Sequence, residues 1–417
     1  MALSDRMRST VESVMPKIAT QVAQRSSSNP PIDFGTAENW LIRPELVEFF
    51  KNRISQELVE QDFSYQKGFS GDPRLISTLA DTFNRLFSPK IPVDASHVVV
   101  GPGGAAILES LLINICDPGD GMLVLAPFWS GFHFQFDVGP KVKIIPVTSP
   151  DANVLNENVV QDLENALARA ERKPKGVVLC NPHNPLGQCY TKSALEAICK
   201  FCEKHDLHII SDEIYALSTY ESADLPDPVP YVSLLGLDFK AMGVDLARAH
   251  VIWSVSKDFG CSGFRLGALV TQGSPAMACG VAMAANTQVS GLTAVAVSSL
   301  LSDSSATDKF INLNRKRLAC AYETMAAFLR GRHIQYVPAC AGIYIWVKLS
   351  KKVQSWDQEA ELTKLLAEKQ VAVSAGKSYA AREPGWYRLS FAIEPEKMQE
   401  GLKRLAGGIE VFEKESK

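Results

Sequence analysis

An amine, two hydroxyls and a guanidinium fall together in SVSKDFGCSGFR, which runs from Ser254 to Arg265 directly after the apolar HVIW. Taken alone this reads as a solvated turn, so any chemistry at Lys257 depends on partners elsewhere in the chain. VVVGPGGAAILESLLINI reads as a strand, a glycine-rich turn and an apolar helix, and the free amides and positive dipole end of such a helix suit a phosphate. CNPHNPLGQ carries Asn184 in an N-P-x-N-P turn, where most asparagines only stabilise the turn. IISDEIY puts Asp212 at the end of an apolar strand, where an α/β sheet opens its ligand crevice, with Tyr215 just beyond; the alternative for Asp212 is a helix cap. Arg388 lies inside the strand-like PGWYRLSFA and needs an anionic partner there, either a structural carboxylate or a substrate.

Two competing readings are weakened by what is missing. Gly101, Gly103 and Ala106 also fit the G-x-G-x-x-A of a dinucleotide site, which needs a carboxylate about twenty positions on, at the end of the next strand. Here that strand ends Ala126-Pro127-Phe128-Trp129, with no acid to hold a ribose. Cys199 and Cys202 form a C-x-x-C inside the helix-like SALEAICKFCEKHDL, without the second pair that zinc requires, so no metal is expected.

The elements that must position these residues alternate between short apolar runs and amphipathic helices from about residue 70 to 300, the α/β pattern. The strand candidates are residues 97–101, 121–127, 143–147, 176–181, 207–213 and 250–256, and most are near-continuously apolar, as in a buried, largely parallel sheet. ENVVQDLENALARAERK and KSALEAICKFCEKH read as helices between them. Beyond residue 300 a long polar helix, DKFINLNRKRLACAYETMAAFLRG, precedes shorter strands such as IYIWVKL and WYRLSFAI, the texture of a smaller α+β domain. The expected division is an N-terminal arm over 1–45 that joins the small domain, a large domain over 46–300 and a small C-terminal domain over 301–417.

With 417 residues the chain is long enough for two domains. Its 43 basic and 46 acidic side chains leave a formal net charge of −3, so nothing drives nucleic-acid binding. No apolar stretch reaches membrane-spanning length, and no membrane association is expected. The first thirty residues lack the apolar core of a secretory signal, and RSSSNPP near residue 25 is a short low-complexity patch. Nine scattered cysteines indicate a reducing, cytoplasmic setting.

The order of the segments is more specific than any one of them. A strand–Gly turn–helix, N-P-x-N-P, S-D-E-x-Y, S-x-S-K with an arginine eight residues on, and a late arginine together resemble the aminotransferase class I/II family, over about residues 30 to 405. The resemblance implies fold type I: a large domain with a mostly parallel sheet flanked by helices, plus a smaller α+β domain. It implies pyridoxal 5'-phosphate as cofactor, with Lys257 as the amine that joins it and later takes the Cα proton of a small-molecule amino-acid substrate. It further implies that Gly104, Ala105, Ser254 and Arg265 hold the phosphate, that Asp212 pairs with the ring nitrogen, and that Asn184 and Tyr215 bond the phenolic oxygen. By the same likeness Trp129 stacks on the ring and Arg388 clamps the substrate carboxylate. Tyr65 aligns with a tyrosine that crosses to the neighbouring site of a homodimer with shared active sites.

Within that family, FGTAENW, SVSKDFGCSGFRLG, CAGIYIWV and PGWYRLSFA resemble segments of 1-aminocyclopropane-1-carboxylate (ACC) synthases. Glu38 then matches a glutamate near the substrate; its alternative is a cap on the first helix. The sequence departs from that pattern at Ala105, where a threonine is usual, at KGF inserted after Tyr65, and at the loop SAGKSYA, which brings Lys377 and Tyr379. The reading is an ACC synthase-like lyase that eliminates a β- or γ-substituent, sulfur-linked among the options, with a class I/II aminotransferase as the alternative. A cofactor-free, non-enzymatic homologue is a third reading, against which the retained cofactor-contact residue types speak.

Overall fold

The N-terminal segment contributes a two-residue strand, β1 (Ile32–Asp33), before the first sheet begins. In the computed structural model, which describes residues 3–4, 7–8, 10–12, 15, 30–149, 154–285 and 289–415, the apolar runs become strands of one sheet. They are β2 (Val98–Gly101), β3 (Gly121–Ala126), β4 (Lys143–Thr148), β5 (Gly176–Cys180), β6 (His208–Asp212), β7 (Ala249–Ser254) and β8 (Gly267–Val270). Their spatial order is β2-β8-β7-β6-β5-β3-β4, parallel except that β8 runs antiparallel to both neighbours. Most of the serine-rich patch near residue 25 lies outside the described residues.

The near-continuous hydrophobicity follows from burial on both faces. Leu123, Leu125, Val177, Leu179, Val251 and Trp253 point into one core. The alternating Met122, Val124, Val178 and Ile252 point into another. The exception, β4, is the sheet edge, which explains how Pro146 is tolerated within it.

Two details differ from the sequence expectations. The strand placed over 250–256 stops at Ser254, and Val255–Asp258 are helical, because Ser254 Oγ accepts the Ser256 N–H at 3.1 Å and starts a helical turn. The four-residue β8 was not expected as a separate strand; it follows a 3₁₀ turn at Ser262–Phe264 and is too short to announce itself.

A second, four-stranded antiparallel sheet has the order β12-β13-β10-β9, from β9 (Gln335–Val337), β10 (Tyr344–Lys348), β12 (Ser374–Ala375) and β13 (Trp386–Ser390). The parallel partner of β1 is β11 (Val371–Ala372), which ties the N-terminal segment to this half of the molecule. Helices Ser304–Gly331, Trp356–Glu368 and Pro395–Glu415 cover the second sheet, and the first begins earlier than the sequence suggested because Asp303 caps it. Their apolar faces share a separate core that includes Leu318, Tyr322, Leu362 and Leu405 and takes in Phe34 from the N-terminal segment. The carboxyl ends of β2, β5, β6 and β7 deliver the chemistry-bearing residues, as expected of an open α/β sheet.

Candidate active site

Lys257 sits on the helical turn that Ser254 starts. Its Nζ donates to the Ala37 carbonyl at 2.5 Å, and its own carbonyl accepts from Asn39 Nδ2 at 3.2 Å, so the N-terminal segment is fixed at both ends of the lysine. Burial pushes the amine down to about 8; Arg388 adds to this, while Glu38 and Asp212 oppose it.

Asp212 ends β6 and is buried, and its Oδ1 has no hydrogen-bond partner. Burial raises it to about 7, against the pull of the Ile214 N–H and Lys257. An isolated buried carboxylate is costly, so this atom calls for a cationic or protonated partner. Tyr215 is buried nearby, edge-on to Tyr344 with ring centres 5.1 Å apart.

Arg388, from β13, reaches this group from the second sheet. Its Nη2 donates to the Gly35 carbonyl at 2.6 Å, its Nη1 lies 3.4 Å from Asn184 Oδ1, and its Nε has no partner. The guanidinium also lies over Tyr344 and Tyr379, 5.2 and 5.3 Å from their ring centres.

The glycine turn after β2 meets the end of the lysine segment. Gly103, at φ 99°, precedes helix Gly104–Ile115, and a Cβ on it would stand 2.5 Å from Arg265 Nη2. A Cβ on Gly267 would stand 2.5 Å from the Gly104 nitrogen. Arg265 is held by the Pro102 and Ser262 carbonyls, each at 2.9 Å, with its side chain exposed. Ser254 lies on the Gly104 side of the same cradle. The amides at the start of that helix, Ala105 included, together with Arg265 form a donor set that fits a phosphate, while Ser254 Oγ lines the cradle and donates to the Leu266 carbonyl at 2.7 Å. With the unpaired Asp212 oxygen and the half-buried amine, the residues present fit pyridoxal phosphate.

Trp129 packs on the Gly131 turn and edge-on to Phe132 at 5.5 Å. Tyr65 is fully exposed on the single chain. Glu38 is at the rim: its Oε2 is 3.4 Å from Arg43 Nη2, and its charge favours the ammonium form of Lys257.

Sequence reasoning missed several contributors. The carbonyls of Gly35 and Ala37 carry no residue-type signal. Asp258, next to the lysine, accepts from Trp253 Nε1, Ser218 Oγ and the Leu217 N–H and so ties the lysine turn to the chain after Tyr215. Burial raises it to about 7. A carboxylate directly after the lysine was the available signal. Tyr344 stands in the quoted CAGIYIWV, but only the fold brings it to Arg388.

Residues 44–405 match the family described as aminotransferase class I and II. The chain is 41% identical over 407 residues to the probable aminotransferase aclI of Aspergillus oryzae, covering 97% of each chain. It is 31% identical over 407 residues to the probable inactive 1-aminocyclopropane-1-carboxylate synthase-like protein 2 of Mus musculus, covering 93% of this chain and 67% of that one. Among solved structures, a double mutant of Thermus thermophilus aspartate aminotransferase superposes with a TM-score of 0.80 at 22% identity, over 98% of this chain and 100% of that one.

Proposed function

The chain belongs to the aminotransferase class I and II family of pyridoxal 5'-phosphate-dependent enzymes, and from that premise we propose that it removes the Cα proton of an amino acid and expels a β- or γ-substituent, with sulfur as a candidate leaving atom. Bound pyridoxal phosphate supplies an electron-withdrawing ring that makes the Cα proton acidic. Gly104, Ala105, Ser254 and Arg265 would hold its phosphate, Asp212 its ring nitrogen, Asn184 and Tyr215 its phenolic oxygen, and Trp129 its face. Lys257 is the residue to which it would be joined.

The observation that carries removal of the Cα proton is the half-buried Lys257 amine, held at the Ala37 carbonyl and pushed down to about 8, so that once free it can take a proton at Cα. Arg388 is oriented by Gly35 and Asn184 and has an unpartnered Nε, which supports a role in holding the substrate carboxylate. The carboxylate of Glu38, beside the lysine, would orient a polar group on the substrate side chain, which favours departure of that group.

Transamination is the second reading, favoured by the name of the Aspergillus oryzae relative. In it Lys257 carries both proton transfers and Glu38 has little to do. A panel of amino acids and S-substituted amino acids separates the two. Elimination of a β-substituent releases it with ammonia and a keto acid that lacks it. Transamination gives a keto acid that retains its side chain and no leaving group.

The same reading makes the enzyme a homodimer in which Tyr65 serves the neighbouring site; the exposed Phe63, Tyr65 and Phe69 support a covered surface there. It divides the chain at about residues 45 and 300, supported by the core that the helices after residue 300 share with the second sheet. All nine cysteines are unpaired, which supports a reducing, cytoplasmic setting. Among the described residues no helix is long and apolar enough to cross a membrane.

A further inference from the structure

Trp40 and Arg43 follow Glu38 in the N-terminal segment, and Arg43 meets it at the rim of the site. The Arg43 guanidinium lies over the Trp40 indole, 3.6 Å from the ring centre, and its Nη2 reaches Glu38 Oε2 at 3.4 Å. A cation over an indole face is held by the ring quadrupole. Arg43 also opens helix Arg43–Glu57, so its backbone is fixed. The other cation near this indole, Lys397, is 5.3 Å from the ring centre and is paired with Glu394 at 3.0 Å.

The backbone on either side of Glu38 is fixed as well. Gly35 and Ala37 accept from Arg388 and Lys257, and Asn39 Nδ2 donates to Asn314 Oδ1 at 2.8 Å as well as to the Lys257 carbonyl. The Glu38 and Arg43 side chains keep 35% and 26% of their exposure, which puts the pair at the edge of the site, neither sealed in the core nor free in solvent.

We infer that Arg43, seated on Trp40, is a positioning residue that holds the Glu38 carboxylate at the rim of the site and shares its charge, and so sets how strongly it acts on Lys257 and how well it is aimed at a substrate side chain. The inference rests on the part given to Glu38 in the proposed elimination. The charged groups that act most strongly on Lys257 are Arg388 from β13, Glu38, Asp212 from β6 and Arg265 from the following turn. Arg43 meets this set through Glu38.

The test is a double-mutant cycle on the cofactor-loaded protein, read as the pH midpoint of the visible absorbance of pyridoxal phosphate joined to Lys257, which needs no turnover. Arg43→Ala leaves the Glu38 charge unshared and raises the midpoint by about half a unit. Glu38→Gln lowers it, and adding Arg43→Ala to Glu38→Gln then changes nothing further. Arg43→Lys restores most of the midpoint, and Trp40→Leu reproduces part of the Arg43→Ala shift. The ratio of released leaving group to side-chain-retaining keto acid falls roughly threefold or more in Arg43→Ala and recovers in Arg43→Lys. An equal shift from Arg43→Ala in both backgrounds, or none in either, overturns the inference. Absence of leaving-group release from the wild type would sink the elimination reading, while the absorbance cycle would still decide the clamp.

Discussion

Arg388 Nη1 and Asn184 Oδ1 lie 3.4 Å apart although 204 residues separate them, and the contact joins β13 of the second sheet to the turn that follows β5 of the first. A residue proposed to hold substrate and a residue proposed to hold cofactor thus orient each other. Arg388→Lys keeps the charge but loses the planar fork and the Asn184 contact. It should lower kcat/KM by about two orders of magnitude, mostly through KM, with cofactor content unchanged. Steady-state kinetics on a reactive amino acid checks this.

Asp212→Asn should retain cofactor but lose turnover roughly hundredfold or more, because the ring nitrogen would no longer have an anionic partner. Its effect on stability has the opposite sign. Asp212 is raised by burial from 3.8 to about 7, so in the cofactor-free protein its contribution is full below the lower value and is lost as pH rises through the higher one. At pH 8 the cofactor-free variant should therefore be more stable than the wild type, by on the order of 2 kcal/mol. Denaturant titration at pH 8 measures it, and at pH 4 the difference should shrink.

How much of this was legible in the sequence depends on the kind of signal. Asp212 and Lys257 stand at the ends of apolar runs whose double-sided burial forces continuous hydrophobicity, so both strands could be read directly. The turn at Gly103 was legible because only glycine allows the close approach of Arg265 at its positive φ. The Arg388–Asn184 pair was not, since nothing local in either segment names its partner. The Gly35 and Ala37 carbonyls were invisible because any residue could supply them. Val255 and Ser256 were given to a strand because an apolar run does not show where a serine cap will bend it into a helix.

The rate at which cofactor-free protein takes up pyridoxal phosphate should rise with pH through about 8 and then level off. The neutral amine is the reactive form, and burial together with Arg388 brings Lys257 down to that value. Because Asp212 opposes that depression, Asp212→Asn should move the profile to lower pH. Stopped-flow absorbance across pH 6 to 10 checks both statements.

Tyr65 is fully exposed on one chain, as its proposed service to a neighbouring site requires. Inactive Lys257→Ala mixed with inactive Tyr65→Ala should regain activity after subunit exchange, up to about a quarter of the wild-type level, since a mixed dimer has one intact site and half of random pairs are mixed. No regain after verified exchange, or a monomer at working concentration, would exclude a shared site.

The most direct measurement of the central claim is borohydride reduction of the purified, cofactor-loaded protein followed by peptide mapping. The account predicts one pyridoxyl-labelled lysine, Lys257, in the peptide spanning SVSKDFG, and loss of the visible absorbance in Lys257→Ala. Label on any other lysine, or no cofactor absorbance in protein purified with pyridoxal phosphate present, would contradict it.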